Sequence, residues 1–178
     1  MIYMVGGAPR TGKSLFARKI LQRKNIPYIS TDVIFHMLKD AVPGLGITDK
    51  IPHEQKAKRF FSFLKQLVKH IQNCEKNYVI EGDSFLPEQV NELAKEYTVK
   101  TCFFGFSIIS LESIKKHEET NKWTNKLTTD ELHNLPQRII KISDIFKKQS
   151  GKYNFPYFDL SVDYDAVMEK AYSYLFPT

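Results

Sequence analysis

Ile2-Tyr3-Met4-Val5 is a short apolar run that stops at Gly6-Gly7, and it reads as a buried strand. From Gly12 the apolar positions move to helical spacing. Phe16, Ala17, Ile20 and Leu21 share one predicted inner face, and Asn25 and Pro27 end the helix. The alternation then repeats. Pro27-Tyr28-Ile29-Ser30 predicts a second strand, and a helix begins over Val33 to Leu38 until Pro43-Gly44 and Gly46 break it. After Pro52, the spacing of Phe60, Leu64, Leu67, Val68 and Ile71 predicts a long helix. Tyr78-Val79-Ile80 predicts a third strand, closed by Glu81-Gly82. Pro87 then opens a helix that turns Val90, Leu93 and Ala94 inward. Thr98 to Phe106, rich in Val, Thr and Phe, predicts a fourth strand. Next come a helix over Ile108 to His117, an irregular polar stretch from Glu118 to Asp130, and a helix carrying Leu135, Ile139, Ile142 and Phe146 as far as Gly151. Tyr157-Phe158-Asp159-Leu160 predicts a fifth strand. A closing helix from about Asp163 presents Val167, Ala171 and Leu175 to the interior.

Short apolar strands alternating with helices predict an α/β fold of three layers, with helices on both faces of a five-stranded parallel sheet. Right-handed crossovers bring the C-terminal end of every strand to one edge. Ligands bind such sheets at that edge. The residues leaving the first three predicted strands are therefore expected to share a cleft: the glycine loop, Asp32, and Glu81 with Asp83.

The chain has 178 residues, 42% of them hydrophobic and 26% charged, which suits one domain over 1–178 with a real core. Disordered and fibrous classes are excluded. A net charge of +6, spread among acids, suits an anionic ligand better than a dedicated nucleic-acid arm. Cys74 and Cys102 form no Cys-x-x-Cys pair, so neither a disulfide framework nor a structural zinc site is expected. No charged leader precedes a long apolar stretch, and the longest apolar stretch, around Cys102 to Ile109, is too short to span a bilayer. A cytoplasmic protein with no membrane partner is the expectation.

The first predicted strand runs into Gly7-Ala8-Pro9-Arg10-Thr11-Gly12-Lys13-Ser14, followed by Leu15. Glycines, a lysine and a hydroxyl at these offsets, between a strand and a helix, make a phosphate-binding P-loop. Its glycines let the backbone turn tightly, and the helix N-terminus adds partial positive charge. Lys13 is expected to reach the β- and γ-phosphates of ATP, and Ser14 to bind Mg²⁺. Arg10 either touches the transferred phosphoryl group or is solvated.

Glu81 lies where a carboxylate at a neighbouring strand end holds the metal or its water; the alternative is a turn acid beside Gly82. Asp83 is a second acid that could contact the substrate. Asp32, in Ser30-Thr31-Asp32, is either a base or anchor for a hydroxyl acceptor or a helix cap. The segment from Lys115 to Arg138 carries Lys115, Lys116, Lys122, Lys126, Arg138 and the only tryptophan, Trp123. It could close over the phosphates as a lid, with Arg138 as the catalytic cation because guanidinium grips phosphate with two bonds. Each of these cations is otherwise a surface charge, and Trp123 is equally a packing anchor. The five histidines, 36, 53, 70, 117 and 133, form no metal-ligand pattern.

Together, the P-loop, Ser30-Thr31-Asp32 and Ile80-Glu81-Gly82 resemble the small-molecule P-loop kinases: adenylate kinase-like, shikimate and gluconate kinase-like, and 2-phosphoglycerate kinase-like proteins. The resemblance implies strand order 2-3-1-4-5, a lid between the fourth and fifth strands, ATP as donor and Mg²⁺ as cofactor. It places Asp32 where several of these kinases have a substrate-binding or catalytic carboxylate. The Asp-Gly-Phe-Pro-Arg signature of adenylate kinases is absent; Glu81-Gly82-Asp83-Ser84-Phe85 stands there, and the lid lacks paired arginines. The expected activity is transfer of the γ-phosphoryl group of ATP to a hydroxyl or phosphate of a small metabolite. A nucleotide-dependent regulator and a nucleic-acid-end kinase are the alternatives.

Overall fold

The chain's apolar runs become five parallel strands around one central strand. The structure, a computed structural model, describes residues 1–48, 50–116 and 123–177. Strand β1 (Ile2–Gly7) lies between β3 (Tyr78–Gly82) and β4 (Val99–Gly105); β2 (Tyr28–Ser30) and β5 (Tyr157–Asp159) form the edges. The order is β2-β3-β1-β4-β5 with every pair parallel, as the resemblance implies. In register, Val5 faces Glu81 and Ser30 faces Glu81 from the other side. The C-terminal ends of β1, β2 and β3 therefore meet at one edge. β1 is buried at nearly every position because both sheet faces are covered, which is why it reads as a continuous apolar run.

Helices α1 (Lys13–Lys24) and α7 (Tyr164–Leu175) pack together, with Lys19 and Arg23 both bonded to Glu169. Helix α4 (Pro87–Leu93) contacts both α3 (His53–Cys74) and α6 (Thr129–Lys152), and α4 and α6 contact β4. Helix α2 (Thr31–Ala41) links β2 to α3 by way of a 3-10 turn at Pro43–Leu45. The largest fully buried side chains include Phe35, Phe60, Phe85, Phe103, Phe104 and Phe146, so the core is built on aromatic contacts between sheet and helices.

Some predicted boundaries and faces shift. Leu21 and Ala94 are exposed, not inward, because each sits near its helix's C-terminal end where the inner face runs out. Between β4 and β5, α5 (Leu111–Lys116) is shorter than predicted, and His117 lies outside the described residues. The stretch expected to be irregular holds a 3-10 turn at Trp123–Lys126 and the start of α6. Helix α6 begins well before Leu135 because Thr128 and Glu131 form a reciprocal capping box, and Pro136 is carried inside it. Its last turn includes Gly151. Lys122 lies outside the described residues, as do the side chains of Lys116, Trp123 and Lys126. Among the described residues, no helix is long and apolar enough to cross a membrane.

Candidate active site

The P-loop turns out of β1 and into α1. The Ala8 amide donates to the Phe104 carbonyl at 3.0 Å, which ties the loop's first residue to β4, and Pro9 has no amide. The first bond within α1 runs from the Phe16 amide to the Gly12 carbonyl at 2.9 Å. The amides of Lys13, Ser14 and Leu15 therefore precede any helical partner, as an anion site needs. Gly12 holds φ 76, and a Cβ there would collide with the Tyr164 hydroxyl of α7. Arg10 also takes a left-handed conformation, φ 69, uncommon outside glycine. Lys13 is 6% exposed. Its ammonium donates to the Ala8 carbonyl at 2.8 Å, and the Thr11 hydroxyl donates to the same carbonyl at 2.8 Å. The lysine is thus folded over its own loop.

Ser14 Oγ donates to Glu81 Oε1 at 3.0 Å, joining α1 to the end of β3. Glu81 is 1% exposed, and its Oε2 has no hydrogen-bond partner. A buried carboxylate oxygen without a partner is costly, and a cation or its bound water would satisfy it. Ser14 and Glu81 together supply the hard oxygen donors that Mg²⁺ prefers. Among the described residues there is no cluster of three or more His, Cys, Asp or Glu able to hold a metal ion. Mg²⁺ in phosphate sites needs none, because it takes one or two protein ligands plus phosphate and water. The site fits that ion.

Asp32 lies in the first turn of α2 but does not cap it. The N-cap is Ser30, and Asp32 Oδ1 instead accepts from the Asp83 amide at 3.2 Å and from Ser84 Oγ at 3.4 Å. Burial and then the Asp83 charge push the Asp32 carboxyl up to about 7, with Lys13 opposing and Glu81 adding to the rise. Gly82 makes this approach possible. At φ 151 it lies against the Thr31 hydroxyl, and any Cβ would collide there.

Asp83 behaves oppositely. Burial alone would raise its carboxyl, but Lys56, His53 and Lys13 together hold it below the usual carboxylate range. Lys56 Nζ lies 2.8 Å from Asp83 Oδ1 and 4.3 Å from the centre of the Phe35 ring. Two neighbouring carboxyls are thus driven apart, one towards the neutral form and one firmly ionised. Burial also lowers the imidazole of His53, which packs against Phe146.

Beside Pro9 and Asp83 a cavity of about 480 Å³ opens between the start of α3 and the middle of α6, within the range of small-ligand pockets. Arg138 lines it, on α6 rather than on the stretch before it. Ser143 Oγ accepts from the Phe106 amide at 3.0 Å, pinning that part of α6 to the end of β4. The structure therefore gathers Lys13, Ser14, Glu81, Asp32 and Asp83 at one edge, with Arg138 across the cavity. Lys115 is exposed on α5. Lys56 and His53 were not legible as site residues. The available signal was a lysine one turn before Phe60, at the head of the buried stripe of α3.

No protein-family model matches the chain, and no curated protein matches it. Solved structures do. The chain is similar to a gluconokinase from Sinorhizobium meliloti 1021 at 14% identity and TM-score 0.58, covering 97% of this chain and 90% of that one. It is similar to a shikimate kinase from Bacteroides thetaiotaomicron at 12% identity and TM-score 0.59, covering 98% of each chain. It is also similar to a deoxyadenosine kinase from M. mycoides at 15% identity and TM-score 0.55, again with 98% of each chain covered. At these identities the likeness is one of fold, an α/β architecture that these three structures share with the chain.

Proposed function

We propose that this chain is an ATP- and Mg²⁺-dependent kinase that transfers the γ-phosphoryl group to a hydroxyl of a small metabolite. The observation that carries the reading is Asp32. Its carboxyl is fixed by the Asp83 amide, raised to about 7, and held at the same edge as Lys13 and the Ser14–Glu81 pair. A regulator that only binds nucleotide has no use for a poised base beside its P-loop. The kinase fold of the neighbours agrees with this reading.

In the proposed reaction the loop amides from Arg10 to Leu15 cradle the donor phosphates. Lys13 leaves the Ala8 carbonyl for the β- and γ-phosphate oxygens. Ser14 and Glu81 hold the Mg²⁺ shell, and the bound ion would neutralise charge on those oxygens. Asp32 accepts the proton of the acceptor hydroxyl as the new O–P bond forms. The bond between the γ-phosphorus and the bridging oxygen breaks, and ADP leaves. Arg138 steadies negative charge from the acceptor side. Positioning and charge stabilisation supply most of the rate. A cytoplasmic setting, with ATP and free Mg²⁺, completes the proposal.

The test is ADP release from ATP and Mg²⁺ against a panel of sugars, sugar acids, glycerates, nucleosides and nucleotides. Release stimulated by one acceptor class, with a phosphorylated product recovered, supports the reading. Tight ATP binding with no stimulated release by any class would overturn it.

A further inference from the structure

We infer that the side chain of Arg10 is a ligand of the transferred phosphoryl group, a second cation carried by the P-loop itself beside Lys13. This inference rests on the kinase reading and adds a residue to the same site.

The backbone singles Arg10 out. Among the described residues, three other than glycine take a left-handed conformation: Arg10, Asn25 and Asn154, at φ 69, 53 and 56. Asn25 ends α1 and Asn154 follows the last turn of α6, where asparagine takes this conformation routinely. Arg10 ends no helix, and arginine has no short polar group to ease the turn. The loop itself demands the turn, since the chain bends back between Pro9 and Thr11 until the Thr11 hydroxyl reaches the Ala8 carbonyl. Glycine would meet that demand without strain. In its place stands the side chain best suited to phosphate. A bulky residue held in this region points to a function for its side chain.

The neighbours of Arg10 say which phosphate it serves. Lys13 Nζ lies 2.8 Å from the Ala8 carbonyl oxygen and 3.4 Å from Thr11 Oγ1. The ammonium that serves the β- and γ-phosphates therefore rests against the two residues that bracket Pro9 and Arg10. The amides of Lys13, Ser14 and Leu15 lie further along, at the start of α1. The γ end of the nucleotide thus lies along Ala8 to Thr11. Pro9 lines the cavity and Arg10 does not, which puts Arg10 on the nucleotide side of the junction. Arg10 is half-buried, with its Nε shut away from solvent. The local charge also calls for a cation. With Asp32 ionised, Asp32, Glu81 and Asp83 stand against Lys13 and Lys56, so 2 − 3 leaves one negative charge, and Lys56 is already committed to Asp83. An arriving γ-phosphoryl group adds to that charge. Arg10 can hold two of its oxygens while its bond to the bridging oxygen of ADP breaks, the acceptor O–P bond forms and the acceptor proton passes to Asp32.

The experiment compares wild type, Arg10→Gly and Arg10→Lys. Calorimetry with Mg²⁺ measures binding of ADP and of adenylyl imidodiphosphate, which differ at the γ position. Arg10→Gly should bind ADP within about twofold of wild type and the analogue at least about tenfold more weakly. Arg10→Lys should fall between, because an ammonium cannot grip with two bonds. Arg10→Gly should melt at or above wild type, since glycine accepts the turn. With an acceptor found by the ADP-release panel, its kcat should fall about 30-fold or more, with the acceptor's KM little changed. Equal weakening of both nucleotides, weakening of neither, or a lower melting temperature with no γ-specific loss would each overturn the inference. Undiminished acceptor-stimulated release in Arg10→Gly would remove the Arg10 contact and leave the kinase reading standing. A loss confined to the analogue, with no acceptor stimulating release in wild type, would keep the contact and remove the kinase.

Discussion

At the scale of single residues, the two carboxyls after β2 and β3 carry the sharpest consequences. Asp32 is raised to about 7 by burial and Asp83, so the folded protein binds a proton there that the unfolded chain has already lost. Between pH 4 and 7 this group makes stability fall as pH rises, and above 7 its full cost is present. Asp32→Asn keeps the Oδ1 acceptor for the Asp83 amide and removes the charge. Its melting temperature should exceed the wild type's at pH 8, and the gap should close as the pH falls towards 5. Thermal melts across that range check this. A variant less stable than wild type at pH 8 would mean that Asp32 sits in no unfavourable field. The same substitution should cut phosphoryl transfer about 100-fold or more while nucleotide binding survives. In the wild type, kcat/KM should climb as pH rises through about 7, because only the ionised Asp32 accepts a proton. A flat profile would remove Asp32 as the base.

At the scale of elements, α3 and α6 decide what the site can hold. Lys56 enters from the first turn of α3 and pairs with Asp83 at the end of β3, with little exposure on either side. Lys56→Met would leave Asp83 ionised and unpaired, at a cost of about 3 kcal/mol. Adding Asp83→Asn to it should recover much of that loss, and chemical denaturation of the single and double variants measures the recovery. No recovery would show that the lysine stem, packed on Phe35, matters more than the charge. The same pair shows where sequence reading stops. The P-loop and the ends of β2 and β3 were legible because each is a local pattern: apolar run, then glycine, hydroxyl or acid. Asp32 could be placed at the ligand edge from strand order alone. That it is held by the Asp83 amide instead of capping α2 could not be read, because the bond crosses from one strand end to the next. Lys56 and His53 stand at the head of an amphipathic helix, where charge usually faces water. Only tertiary contacts, of Lys56 with Asp83 and Phe35 and of His53 with Phe146, turn them inward. Helix α6 was read as starting near Leu135 because its apolar spacing begins there. Thr128 and Glu131 instead nucleate it a turn and a half earlier, and so carry Arg138 into the middle of a firm helix.

At the scale of the whole molecule, the P-loop is wired to both strands that flank β1 and to the last helix. Ala8 is bonded to β4, Ser14 reaches Glu81 on β3, and Gly12 rests against Tyr164 of α7. A ligand held by this loop therefore fastens the central strands and α7 together, and its binding should appear as a global gain in stability. With Mg²⁺ and ATP analogue at about 100 times Kd, the gain is about 2.7 kcal/mol. For a chain of 178 residues this should raise the melting temperature by roughly 5–10 °C. Lys13→Ala should lose most of that rise. It also frees the Ala8 carbonyl from its ammonium, so the unliganded variant should itself melt lower, and the comparison must be between shifts, not between melting temperatures. Glu81→Gln should behave differently. The amide can still accept from Ser14 but no longer offers a second anionic oxygen, so the shift should persist with nucleotide alone and lose its dependence on Mg²⁺. Differential scanning calorimetry of the three proteins, with and without the metal, separates the two roles. Equal Mg²⁺-dependent shifts in wild type and Glu81→Gln would place the metal elsewhere, and an undiminished shift in Lys13→Ala would mean that the nucleotide phosphates are not held by this loop.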